Sequence, residues 1–270
     1  MTVSARSSTM EERKAEEAEF HNRLRDPELL RDAKKHARLT SNLKYYSATA
    51  ASDAAYTRWL FDRCAGKRVL DYACGNGRYS RLLAQHGASV VGIDISDISI
   101  ENCRRLAEEE GLADRATFRV MDCERLEFAD NTFDIVCESG ALHHLDLRAA
   151  VGEISRVLKP TGQAICLESV GHNPLFQAYR RLTPHLRTRY ETEHILRMRD
   201  LNVMREVFDQ VDVQFFHLTS LFAVPFRNTG LFPGVLKVFD AVDSVLMRIP
   251  GVREQAWIMI LTLSKPKKRA

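Results

Sequence analysis

The chain has 270 residues, 45% of them apolar and 28% charged, with a formal net charge of +3. That size and mix suit one large folded α/β domain with insertions, and so small a charge gives no reason to expect nucleic acid as a partner. The opening MTVSARSSTMEERK lacks the apolar segment of a secretory signal. No apolar run approaches the roughly 18 residues of a membrane span. The cysteines Cys64, Cys74, Cys103, Cys123, Cys137 and Cys166 include no C-x-x-C pair. They read as small buried hydrophobes in a reducing cytoplasm, with neither a disulfide nor a metal site.

Residues 1–40 are dense in charge and free of glycine. They read as one or two helices outside the core, and residues 1–50 as a helical extension to a domain over 51–270. A helix over 51–64 leads into a strand over 67–71. Helices are expected over 78–86, 97–110, 147–158 and 199–208. Strands are expected over 89–94, 117–121, 133–138, 163–168, 211–218 and 256–263. Gly87 and Gly111 stand where helices stop. This alternation argues for a parallel sheet with helices on both faces, and the apolar strands fit a sheet covered on both sides. The rhythm breaks over 173–193, which shows no periodicity. Insertions at about 170–197 and 219–253 read as lids. Within the second, residues 231–249 have the pattern of an amphipathic helix, and core packing is the favoured reading over membrane contact. The tail Lys265 to Arg269 reads as solvated.

The run VLDYACGNGR, from Val69 to Arg78, ends the first strand in a glycine turn. Gly75 and Gly77 remove side chains where the backbone passes close to a ligand, and the following helix points free N–H groups at that spot. A dinucleotide site wants G-x-G-x-x-G, but Ser80 holds the third glycine's place. Asp71, Asp94 and Asp122 end three consecutive strands. A carboxylate at Asp94 can accept both ribose hydroxyls, as it also does in NAD enzymes. One at Asp122 can accept the exocyclic amine of adenine, with the Cys123 N–H reaching a ring nitrogen and Ile95 and Met121 sandwiching the purine.

The series VLDYACGNG, VVGID, VMDCE, FDIVCESGALHHL and RVLKPTGQAICLE resembles the class I S-adenosylmethionine-dependent methyltransferases, in particular bacterial ones of small-molecule metabolism. The likeness is tight over about 45–170 and looser to about 263. It departs at Ala73 and Thr161, where glycine is common in the family. The resemblance implies a doubly wound, seven-stranded, mostly parallel Rossmann-like sheet with N-terminal helices and inserted lids. It also implies S-adenosyl-L-methionine as cofactor, with Asp71, Ala73, Gly75 and Gly77 along its methionine end. Asp94 takes the ribose, Asp122 and Cys123 the adenine, and Ser139 faces the sulfonium. Tyr45 or Tyr46 either folds over the cofactor or anchors the core.

Methyl transfer from a sulfonium needs alignment above all, and a general base only where the acceptor loses a proton. His143, His144 and Glu168 are the candidate bases, against the alternative that the histidines pack and cap. Glu138-Ser139-Gly140-Ala141 stands where nucleic-acid amine methyltransferases resemble one another in an Asp/Asn-Pro-Pro-aromatic run. That difference disfavours a nucleic-acid acceptor. The apolar and aromatic lids suit a hydrophobic small molecule. A natural product is the leading acceptor, and a quinone or lipid at a membrane surface the alternative. An NAD(P)-dependent oxidoreductase and a non-catalytic scaffold on the same sheet are the rival classes. The N-terminal helix is also a candidate for exchange between subunits of a homo-oligomer.

Overall fold

The computed structural model describes residues 10–25, 41–183 and 194–268, together with Leu186, Thr188 and Tyr190. Parts of the N-terminal extension (1–9 and 26–40), parts of the first lid and Arg269 therefore lie outside the described residues.

Seven strands form one sheet: β1 Arg68–Tyr72, β2 Ser89–Asp94, β3 Ala116–Val120, β4 Phe133–Ser139, β5 Leu158–Ser169, β6 Phe208–Phe216 and β7 Ile258–Pro266. Their order is β3-β2-β1-β4-β5-β7-β6. The first five run parallel, while β7 is antiparallel to both its neighbours. The helices are α1 Met10–Arg25, α2 Ala50–Cys64, α3 Arg78–Gln85, α4 Asp97–Glu109, α5 Leu147–Val157, α6 Pro174–Leu182, α7 Leu201–Val207 and α8 Phe232–Leu246.

The period of two along each strand feeds two cores. Val69, Val90, Ile135 and Ile260 turn to one face, where Tyr56 and Leu60 of α2, Leu83 of α3 and Ile100 of α4 cover them. Leu70, Val136, Ala164 and Met259 turn to the other, under Val151 and Ile154 of α5 and Met204 of α7. Full burial of each such side chain contributes about 1.5–3 kcal/mol. Strand order reverses between β1 and β4, and a doubly wound sheet leaves its crevice beyond the carboxyl ends of the strands there.

Three stretches differ from the sequence reading. Residues 174–182 form a helix inside the stretch that showed no periodicity. Asn173 caps it, its side chain accepting from the Leu175 N–H at 2.9 Å, and Pro174 sits in the first turn. An Asn-Pro pair is a start signal in its own right. The tail is not simply solvated, since Lys268 Nζ donates to the carbonyls of Ser155 and Leu158 at the end of α5. Finally, α8 packs as favoured along one side only. Leu236 and Asp243 are buried against the 3-10 turn Ser220–Phe226, and an adjoining apolar stripe through Val238, Val242 and Val245 lies open to solvent.

Candidate active site

The glycine turn is built from left-handed backbone. Ala73, Gly75 and Gly77 have φ of 55°, 52° and 67°. At Ala73 the chain therefore keeps the conformation that a glycine would adopt freely, at a cost of about 1–2 kcal/mol. Only glycine fits at 77, because a Cβ there would lie 2.9 Å from Cys103 Sγ and 3.2 Å from the Phe118 ring. The loop thus packs down onto α4 and β3 and leaves its outer side open.

Asp94 closes β2 and locks this turn. Its Oδ2 accepts from the Gly75 N–H at 2.8 Å and its Oδ1 from the Ser96 N–H at 2.9 Å. Each carboxylate oxygen has a second lone-pair direction beyond these bonds. Asp122, past the tip of β3, is held by the Glu124 N–H at 2.8 Å. A single cleft is lined by Ala73, Asp94, Ile95, Asp122, Cys123 and Ser139, with Gly140, Ala141, His144 and Leu145 on its far wall. Half of the residues assigned to the cofactor from sequence thus meet in one place.

Others do not. Asp71 lies beneath the turn, 3% exposed, accepting from Ser80 Oγ at 2.5 Å. Burial raises its pKa to about 6 against the pull of the Ser80 and Cys137 hydrogen bonds, with the Asp94 charge adding to the rise. Its part is to hold the start of α3, away from the cleft. Gly75 and Gly77 shape the turn without lining the cleft. Met121 packs into the core. Tyr45 packs on the Ser220–Phe226 turn and meets Tyr179 edge-on at 5.3 Å, and Tyr46 meets Trp257 at 5.3 Å. Among the described residues neither tyrosine lines the cleft.

The cleft's fourth wall is α1, which the sequence reading left outside the core. Arg13, Lys14, Glu17 and His21 all line it. Lys14 Nζ stands 2.6 Å from Asp122 Oδ2, and Arg13 bridges Glu124 at 2.5 Å and the His144 carbonyl at 2.9 Å. Asn22 donates to Asp97 and accepts from Ser96 Oγ. This helix has no apolar stripe. It is held by ions and hydrogen bonds, so hydrophobic periodicity, which finds packed helices, could not place it. With α1 in place the cleft holds about 110 Å³, below the roughly 300 Å³ at the small end of ligand sites. Side chains of α1 must withdraw to admit a nucleoside-sized ligand.

The two histidines part company. His143 is buried, its Nδ1 2.6 Å from Glu168 Oε2. Glu168 also accepts from the Leu142 N–H at 2.6 Å and is fully buried behind the cleft wall. His144 faces the cleft, its Nδ1 2.9 Å from Glu17 Oε2, and Thr188 Oγ1 holds the other oxygen of Glu17 at 2.5 Å. The carboxylate that orients the cleft-facing histidine is therefore Glu17 of α1, a partner that no local motif announces. Glu17, His21 and His144 bring one ligand-type atom each within 4.8 Å of one another; the Glu17–His144 hydrogen bond already accounts for the pairing at its centre.

Beside Glu168 lies Glu138, also fully buried, accepting from the Ala141 N–H. Burial first, and then the Glu168 charge, raise the Glu138 pKa well above the ordinary carboxylate range. Burial opposes ionisation of Glu168 too, but His143 and the hydrogen bonds from Glu138 and Leu142 pull its pKa below the usual value. The pair thus holds one proton, on Glu138.

A pKa raised in the folded state gives stability that is complete below the ordinary carboxyl value and is lost as pH rises through the folded value. Glu138→Gln, which keeps a donor without the titration, is expected to match wild type near pH 4.5. It should then become progressively more stable as pH rises. Each pH unit across that window is worth up to about 1.4 kcal/mol, or roughly 2–4 °C in melting temperature. Thermal melts of both proteins from pH 4.5 to 9 check this; a gap that does not change with pH overturns the proton on Glu138.

Together, the strand order, the glycine turn after β1 and the acidic tips of β2 and β3 beside one cleft have the arrangement of a Rossmann-like methyltransferase fold. Residues 70–166 match the profile of the family described as "Methyltransferase domain". Among curated proteins, the chain is 34% identical over 146 residues to the "Probable tocopherol O-methyltransferase, chloroplastic" of Oryza sativa subsp. japonica, covering 53% of the chain and 36% of that protein. It is 36% identical over 112 residues to "Methyltransferase GfsG" of Streptomyces halstedii, covering 40% of each. The matched region thus spans well under half of these relatives' length. Among solved structures, it resembles geranyl diphosphate C-methyltransferase from Streptomyces coelicolor A3(2), determined with Mg2+, geranyl diphosphate and S-adenosyl-L-homocysteine. That match has a TM-score of 0.57 at 19% identity, over 79% of each chain, and speaks for the fold.

Proposed function

We propose that this protein transfers a methyl group from S-adenosyl-L-methionine to a hydrophobic small molecule. The observation that carries the reading is the convergence of Asp94 and Asp122, from consecutive strand tips, on one cleft beside the Ala73–Gly77 turn. Bound S-adenosylmethionine supplies an electrophilic methyl and a neutral leaving group. Asp94 accepts the ribose hydroxyls, the outer side of the turn takes the methionine end, Ile95 packs on the purine, and Asp122 and Cys123 read its edge. Reading by Asp122 requires Lys14 to give up its contact with that carboxylate. Ser139 and the adjoining Gly140 and Ala141 flank the reacting end.

Alignment of acceptor and methyl accounts for up to about 7–11 kcal/mol of barrier lowering in favourable cases. Where the acceptor loses a proton, His144 takes it. Its Nδ1–H is donated to Glu17, which leaves Nε2 as the basic nitrogen. His143 and Glu168 brace the wall that carries His144. Residues 1–50 and the segments at about 170–197 and 219–253 serve as covers over the cofactor and the acceptor.

The acceptor class draws support from the apolar covers and from the relatives' names, which include a tocopherol and a geranyl diphosphate methyltransferase. A natural product is the first reading. A quinone or lipid at a membrane surface is the second, and the solvent-facing apolar side of α8 favours it. A thermal-shift panel tests the cofactor. S-adenosylhomocysteine at a hundredfold excess over its Kd is expected to stabilise the fold by about 2.7 kcal/mol, while NADH does nothing. Stabilisation by NADH alone overturns the proposal in favour of a dinucleotide enzyme.

A further inference from the structure

We infer that the outward face of α8 and the turn before it form a docking surface for an anionic lipid membrane. The helix is apolar on two adjoining sides, one turned in and one turned out. Inward, Leu236 and Phe239 pack on Ala223 and Val224. Outward, Leu231, Val238, Val242, Val245 and Ile249 are 65%, 63%, 42%, 59% and 44% exposed. Their spacing of seven, four, three and four residues puts them in one stripe along the helix. An apolar stripe of this length is ordinarily buried in a core or in lipid, yet this one lies in the open.

The stripe is part of a wider region. Apart from Val120, every exposed large apolar side chain among the described residues lies on α8 and its flanks, the Ser220–Phe226 turn, α6 or the 3-10 turn Ser41–Ala48. These segments touch one another. The Ser41–Ala48 turn and α8 both pack on the Ser220–Phe226 turn, and Tyr45 meets Tyr179 of α6. Contiguous apolar exposure on this scale marks an interaction site.

Charge selects the occupant. Between residues 220 and 250 the exposed ionic side chains are Arg227, Lys237 and Arg248, all cationic. The two acids are turned in. Asp243 is buried, accepting from the Leu218, Thr219 and Ser220 N–H groups, and Asp240 is half-buried. Lys237 and Arg248 stand on one shoulder of the stripe, a quarter-turn from its centre. Pairing two copies through this face would set these cations near one another. An anionic headgroup layer would neutralise them while the stripe enters the acyl boundary. Among the described residues no helix is long and apolar enough to cross a membrane, so the contact is a surface one. The inference deepens the proposed function by giving a hydrophobic acceptor a reservoir; the membrane contact itself stands apart from the chemistry.

Flotation of the full chain with lipid vesicles tests it directly. At low salt, vesicles containing phosphatidylglycerol are expected to bind the protein about a hundredfold tighter than pure phosphatidylcholine, given three cations near the surface. Val238→Glu combined with Val245→Glu is expected to lower binding at least tenfold, and Lys237→Glu with Arg248→Glu to remove the preference for phosphatidylglycerol. These side chains are exposed, so melting temperature and S-adenosylhomocysteine affinity should hold in each variant. Those two controls separate failure of the docking surface from failure of the methyltransferase reading. The inference is overturned by wild type that ignores both vesicles, by equal binding to both lipids, or by glutamate variants that bind as wild type does. It is also overturned if wild type is a dimer that Val238→Glu splits, because the stripe is then a protein interface.

Discussion

Asp94→Ala is expected to weaken S-adenosylhomocysteine binding by about a hundredfold or more in isothermal calorimetry. A hydrogen bond to a charged group contributes about 1.5–3 kcal/mol, and the proposed ribose contact gives this carboxylate two. The loss runs deeper than the ribose, because the Gly75 and Ser96 amides also lose their acceptor. The glycine turn then keeps its left-handed course at Ala73 through the Cys74 N–H bond to the Ile93 carbonyl and the Gly77 N–H bond to the Cys74 carbonyl. Asp94→Asn keeps one acceptor oxygen and should fall between wild type and alanine. Normal affinity in the alanine variant removes the ribose from Asp94 and with it the proposed cofactor.

His144→Ala is expected to cut turnover by roughly 10²–10⁴-fold, the usual contribution of a positioned general base, while cofactor affinity stays within about threefold. The assay is transfer of labelled methyl from S-adenosylmethionine into a hydrophobic acceptor that carries an ionisable O–H, N–H or C–H. Glu17→Gln should produce a smaller loss in kcat, because it leaves the imidazole in place and keeps an oxygen that can accept its Nδ1–H. His143→Ala should act mainly on stability, since its ring is buried on Glu168. Unchanged turnover in both single histidine variants takes these residues out of the chemistry.

The sheet was legible because its signal is local. Strand periodicity, the glycine turn and the acidic strand tips each lie within ten residues, and the two buried faces leave little freedom in register. The cleft wall contributed by Asp94, Ile95, Asp122, Cys123 and Ser139 follows from those tips. Asp71 misled because sequence position fixes the strand end and not the direction of the side chain, which turns under the loop to Ser80. Glu17 was hidden for a different reason. It meets His144 across 127 residues, and a polar helix that docks through ions has no periodicity to betray the surface it covers. The α8 stripe shows the same limit from the other side: periodicity finds an apolar face without saying what it faces.

The place of β7 bears on how the molecule is assembled. This strand lies between β5 and β6, although it is made after both. Until Ile258–Pro266 leaves the ribosome, β5 keeps a bare row of backbone donors and acceptors, and β6 has no partner in the sheet. Unpaired edges of that kind invite pairing with other chains. The nascent protein therefore carries this risk of sticking to others from the time β5 is made until β7 follows it.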